Sequence, residues 1–259
     1  MQPNHVKHLY DSNKIALGSY FTFADVRAVE VAAAAGLDFV RFDQYHVPYS
    51  YEALEHRVQA AYSYNLTPWA RVANDALTIM SVLDLGVQAL TIPNVHDVAA
   101  AKRAVAATFY PPKGRREMSR PLRSLGLSTV QFIEWTNDEV IVSCQIEDRE
   151  AVANCRDIVR VDGVGMVQTG RADLSLSFGV PGQHAHRKVV EAEKRIVGTA
   201  LDAGKQVSLT LRITDEDIEG AARWIQEGVR VITLDTDYRV LMRAYAGAVG
   251  RVRAIGEAI

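Results

Sequence analysis

Residues 32–75 read AAAAGLDFVRFDQYHVPYSYEALEHRVQAAYSYNLTPWARVAND, and this stretch sets the architecture. An alanine-rich helix tail stops at Gly36, a residue suited to the left-handed turn that ends helices. An apolar run, Asp38–Phe42, follows, then a polar turn. Ser50 can cap a helix that runs through Tyr62. A second apolar run, Pro68–Val72, completes a strand–helix–strand unit. The strands lack apolar/polar alternation, as strands covered on both faces do.

The same unit recurs along the chain. Further strand-like runs fall at Ile15–Tyr20, Ala89–Ile92, Val140–Gln145, Gly163–Gln168, Gln206–Leu211 and Val229–Leu234. Helical patterns lie at Ala24–Ala35, Leu77–Asp84, Val95–Phe109 (opened by Asn94), Arg187–Ala203, Asp215–Gln226 and from Asp237 to the C-terminus. Eight strands alternating with about eight helices predict an α/β fold, a single (β/α)8 barrel spanning 1–259. The competing architecture is a doubly wound open sheet. It usually has a Gly-rich first turn, whereas the first turn here is Tyr20-Phe21-Thr22-Phe23. The irregular stretch Pro111–Ser128 carries five basic residues and three prolines and reads as a functional loop.

Composition narrows the function. The net charge of −2 and pI near 6.4 supply no basic field for nucleic acid. No apolar run approaches the roughly 18 residues that span a bilayer. Two cysteines, Cys144 and Cys155, make no disulfide framework. These features predict a cytoplasmic protein with no membrane or nucleic-acid partner.

Barrel enzymes carry their chemistry where strands end. There this sequence places Asp43-Gln44-Tyr45-His46, Arg71, Gln145-Ile146-Glu147, Gly170-Arg171-Ala172-Asp173, Arg212, and Asp235 with Asp237. Glu147 and Asp173, at equivalent points of consecutive strands, suit a hard divalent cation. Each alone also fits a carboxylate beside a helix N-terminus. His46 suits a general base, though a lone histidine after a strand is also an ordinary structural residue. Arg71 suits either an enolate oxygen or a salt bridge. Asp84 sits in a last helical turn, against the dipole, so it reads as having a tertiary partner such as a histidine, or as an exposed aspartate. Gly170 opens a tight turn whose N–H groups at Ala172 and Asp173 can hold a substrate carboxylate. His184 and His186 are weak metal candidates, and Cys144 reads as buried and inert. No lysine stands at a strand end, which disfavours Schiff-base chemistry.

Five stretches together resemble the metal-dependent class II pyruvate aldolases, typified by 4-hydroxy-2-oxoheptanedioate and 2-dehydro-3-deoxyglucarate aldolases. They are residues 33–40 (AAAGLDFV), 83–88 (LDLGVQ), 110–114 (YPPKG), 145–147 (QIE) and 170–175 (GRADLS). The resemblance implies a barrel of the phosphoenolpyruvate/pyruvate-binding type and a lyase acting on pyruvate and an aldehyde. It implies Mg2+, Mn2+ or Co2+ on Glu147 and Asp173, with Gln145 lining the site. Arg71 would meet the keto or enolate oxygen, and His46 paired with Asp84 would move protons. It also implies a homo-oligomer, often a hexamer with helix exchange. Three departures stand out: Tyr45 replaces a family glutamate, Arg171 a proline and Glu117 a glycine. Extra arginines at 116, 171 and 212 would favour an anionic second substrate. Two other outcomes fit the same residues: a different lyase on the same enolate (oxaloacetate decarboxylase or citryl-CoA-lyase-like), or a divergent barrel that only binds.

Overall fold

The computed structural model describes residues 1–47 and 49–257. Its eight strands are β1 (Ala16–Phe21), β2 (Phe39–Asp43), β3 (Thr67–Arg71), β4 (Ala89–Ile92), β5 (Ile141–Ile146), β6 (Met166–Thr169), β7 (Gln206–Leu211) and β8 (Val231–Thr236). They form one closed parallel barrel in chain order, β8 pairing back onto β1. The open-sheet alternative is therefore excluded. No described helix is long and apolar enough to cross a membrane.

The helices are α1 (His5–Asp11), α2 (Val26–Ala34), α3 (Tyr51–Ser63), α4 (Ala76–Asp84), α5 (Val98–Thr108), α6 (Thr129–Glu139), α7 (Arg149–Val159), α8 (Arg171–Ser177), α9 (Arg187–Asp202), α10 (Asp215–Glu227) and α11 (Asp237–Glu257). Ser50 caps α3 as its sequence predicts, accepting from the Ala53 N–H at 3.1 Å. Helix α5 starts later than expected. Asn94 has φ 54°, a left-handed conformation that cannot open a right-handed helix, and Asp97 caps instead. Helices α1, α6 and α7 have no counterpart in the sequence reading. A capping box, Ser128 with Gln131, was the available signal for α6.

Outward-facing strand residues such as Val40, Phe42, Val142 and Val167 pack under the helices in the main core. The barrel's inside is different. Its lower end is apolar, with Phe39, Trp69, Ile141, Met166 and Val231 capped by Val6 of α1. Gly18 leaves room there: a Cβ would lie 2.3 Å from the Phe39 ring. Above this plug the interior turns polar. Arg41, Thr91, Ser143, Gln168, Ser208 and Thr233 are all buried. Strands read as uniformly apolar thus carry a hydrophilic shaft leading to their C-terminal ends.

Candidate active site

The strand ends enclose a cavity of about 440 Å3. Asp43, His46, Arg71, Gln145, Arg171 and Asp173 line it, as do Gly170 and Ala172. Four strands and their following turns therefore deliver most of the expected residues to one space.

Glu147 lies behind this lining, 5% exposed. Gly170 lets it approach: a Cβ there would sit 3.0 Å from Glu147 Oε2 and 3.0 Å from Gln145 Nε2. Burial pushes the Glu147 carboxyl up to about 7, the neighbouring Asp173 carboxyl adds to the rise, and the Asn94 N–H opposes it. That N–H donates to Glu147 Oε1 at 2.8 Å, and the Asp173 carboxyl lies within side-chain hydrogen-bonding reach of the Glu147 carboxyl. Gln145 Oε1 is buried and unpartnered among the described residues. Two adjacent carboxylates plus an orphaned amide oxygen are an all-oxygen donor set. It fits a hard divalent cation that keeps waters or substrate oxygens as further ligands. No group of three or more His, Cys, Asp or Glu side chains forms a metal cluster among the described residues, so any cation must draw on such mixed donors.

Arg71, at the end of β3, donates through Nε to Asp43 Oδ1 at 3.0 Å and through Nη2 to Asp43 Oδ2. Burial works to raise the Asp43 carboxyl, but the Arg71 guanidinium outweighs it and holds Asp43 below its usual range. Asp43 Oδ1 also accepts from the N–H groups of Tyr45 and His46 at 3.3 and 3.2 Å. One carboxylate thus fixes both the arginine and the turn that presents His46. The Tyr45 ring packs edge-on against His46 with centroids 4.9 Å apart. Tyr45 Oη accepts from Asn94 Nδ2 at 3.0 Å.

Several expected placements differ. Asp84 does not pair with His46 within the chain; it accepts from Arg116 Nη2. The reason is topological. Helices run back along the barrel, so the last turn of α4 lies at the opposite end from the strand C-termini. Arg116 is drawn to that end with it and does not line the cavity. Arg171 and Arg212 do line it, but each has a carboxylate: Glu193 at 2.7 Å and Asp217 at 2.7 Å. Their charge is thus largely spent within the protein. His184 lines the cavity, whereas His186 caps α9. Burial pushes the Cys144 thiol up to about 12, in keeping with an inert residue. Asp235 pairs with Arg243, and Asp237 holds the turn after β1 through Thr22 and Phe23.

Reading strand ends alone missed Tyr20, Gln168 and Tyr238, all cavity-lining. Tyr20 and Gln168 close the apolar runs Ile15–Tyr20 and Gly163–Gln168, and their signal was a polar side chain at the last position of each run.

A barrel with oxygen donors, arginine and histidine around one strand-end cavity is the architecture of a carbon–carbon lyase. Residues 17–244 match the HpcH/HpaI aldolase/citrate lyase family, and the chain belongs to it. It is 36% identical over 242 residues to a pyruvate aldolase of Rhizobium etli, covering 93% of this chain and 94% of that protein. It is 31% identical over 254 residues to a 4-hydroxy-2-oxo-heptane-1,7-dioate aldolase of Salmonella dublin, covering 97% and 95%. Among solved structures, citrate synthase SbnG superposes with a TM-score of 0.88 at 30% identity, covering 97% of this chain and 98% of that one.

Proposed function

We propose that this chain is a divalent-metal-dependent pyruvate aldolase of the cytoplasm. It joins pyruvate to an aldehyde to give a 4-hydroxy-2-oxo acid, or reverses that reaction. The observation that carries this reading is the convergence of Glu147, Asp173 and the unpartnered Gln145 Oε1 beside Arg71 and His46.

Glu147 and Asp173 would hold Mg2+, Mn2+ or Co2+, which supplies Lewis-acid polarisation of the 2-oxo group. Arg71, braced by Asp43, faces the oxygen on which enolate charge develops; such preorganised donors are worth several kcal/mol in a water-poor site. In cleavage His46 takes the proton of the 4-hydroxyl as the C3–C4 bond breaks, and an aldehyde leaves. His46 then gives that proton to C3 of the enolate, which makes pyruvate; in synthesis His46 takes a C3 proton of pyruvate and delivers it to the new alkoxide. The N–H groups of Ala172 and Asp173, at the uncapped start of α8, orient the pyruvate carboxylate.

Asp84 has no part in this single-chain scheme. We also propose a homo-oligomer, a hexamer being what the family resemblance implies. Helix α11 buries none of its described residues, yet carries Leu241, Met242, Tyr245, Val249 and Val252 exposed.

The test is the double variant Glu147→Gln with Asp173→Asn. Loss of both aldol turnover and cation binding is expected, and persistence of both would overturn the reading. The family's citrate lyase members favour one second reading, a different lyase step at the same site. His46→Ala separates the two: aldol cleavage collapses while decarboxylation of oxaloacetate, which needs no 4-hydroxyl base, survives.

A further inference from the structure

The polar shaft beneath the cavity holds a buried guanidinium with no salt-bridge partner among the described residues. Arg41 of β2 is fully buried, and its Cζ lies 3.9 Å from the centre of the Trp69 ring. Its Nη1 donates to Gln168 Oε1 at 2.8 Å and its Nη2 to Ser208 Oγ at 2.9 Å. A second donor reaches the same Gln168 oxygen. Trp69 Nε1 donates to Thr91 Oγ1 at 2.9 Å, and the Thr91 hydroxyl donates on to Gln168 Oε1 at 3.1 Å.

Arginine and tryptophan side chains can only donate. The direction of this network is therefore fixed. The Gln168 oxygen must face Arg41 and Thr91, so its amide NH2 must face the other way. There it meets Tyr20 Oη at 2.7 Å. The Tyr20 oxygen is thus an acceptor, and its own hydrogen has to go elsewhere. Arg41 also reaches this oxygen and can only donate to it, so no acceptor for the phenol's own hydrogen is found among the described residues. Tyr20 lines the cavity, and the Arg71 guanidinium sits 5.1 Å from its ring centre.

We propose that Tyr20 is a further catalytic residue, donating its phenolic hydrogen to an oxygen of the bound 2-oxo acid beside Arg71. Arg41 and Gln168 are positioning residues that leave the phenol no acceptor among the described residues. This inference rests on the proposed function and adds a substrate contact to it. A phenol aimed at an oxygen that gains negative charge binds the enolate more strongly than the ketone.

The experiment follows exchange of the pyruvate methyl protons with deuterium by NMR, with Mn2+-free Mg2+ buffer, and pyruvate binding by calorimetry. Tyr20→Phe removes the hydrogen but keeps the ring between the two guanidiniums. Gln168→Glu keeps the shape and its bond to Arg41, but offers Tyr20 a carboxylate oxygen and pulls its hydrogen inward. Each change should slow exchange roughly tenfold to a hundredfold, the range for a hydrogen bond to a charged group, and should weaken binding of pyruvate itself by less. The double variant should be no worse than the more affected single one, because both remove the same bond. Thermal unfolding of each variant checks that the barrel is intact. Wild-type exchange in either single variant, or losses that multiply in the double variant, would overturn the assignment. Absence of exchange in the wild-type protein would instead take down the proposed function, and this inference with it.

Discussion

The backbone N–H of Asn94 donates to Glu147 Oε1 at 2.8 Å from a residue held at φ 54°. The left-handed turn after β4 is what aims this N–H across at the end of β5. It occupies one carboxylate oxygen and leaves the other toward Gly170 and Gln145. Asparagine tolerates this conformation, and its side chain ties the turn to Tyr45.

Replacement of Asn94 therefore separates backbone from side chain. Asn94→Gly keeps the turn, and Mn2+ affinity should stay within about threefold of wild type. Asn94→Val puts a β-branched residue in a region that disfavours it by on the order of 1–2 kcal/mol, so the turn shifts and affinity should fall about tenfold. Isothermal titration with Mn2+ reads both.

Cation binding should depend on pH through Glu147. Its carboxyl titrates at about 7 in the cation-free protein, raised by burial and by Asp173. Below that pH a cation must displace the proton, so affinity should fall by about tenfold per pH unit, and should level off above it. The sign for stability is the reverse of a salt-bridged acid. A raised carboxyl stabilises the fold below its unfolded value, and that contribution disappears as pH climbs toward 7. The unfolding temperature of the cation-free protein should decline over this window, and added Mg2+ should restore most of it above pH 7. A titration series from pH 5.5 to 8.5, at about half-unit steps, checks the slope.

Asp43 braces two functional groups at once, Arg71 and the turn carrying His46. Asp43→Asn removes the charge partner of a largely buried guanidinium. Breaking such a pair costs about 3 kcal/mol, measurable by urea unfolding. Turnover should drop on the order of a hundredfold, because small misplacements of reacting groups are costly. An unchanged kcat would show that Asp43 positions nothing the reaction needs.

Much of this was legible in the sequence, for physical reasons. A parallel strand covered on both faces must be apolar, and a glycine must end many helices, so Gly36 and the run Phe39–Phe42 mark themselves. The carboxylates were visible because charge after a buried strand is unusual. The partner of Asp84 was not visible. Local sequence fitted either a tertiary partner or an exposed aspartate, and only chain direction in space decides between His46 above and Arg116 below. The pairing of Arg171 with Glu193, a buried acid 22 residues away, was hidden likewise. Tyr20 and Gln168 were hidden because nothing local tells whether the last residue of such a run faces the barrel's inside or its helices.

The exposed apolar residues of α11 make a prediction about assembly. Leu241 and Tyr245 are 46% and 65% exposed and lie one turn apart. Leu241→Glu with Tyr245→Glu should lower the mass in light scattering by at least half if the helix joins subunits. An oligomer of unchanged mass would place the contact elsewhere.

The central claim is that Glu147 and Asp173 share one cation in the strand-end cavity. Anomalous diffraction from crystals grown with Mn2+ and pyruvate tests it most directly. A single strong peak is expected about 2.1 Å from an oxygen of each carboxylate, with pyruvate oxygens completing its shell. A peak bound by neither residue, or a pyruvate seated with no cation beside it, would contradict it.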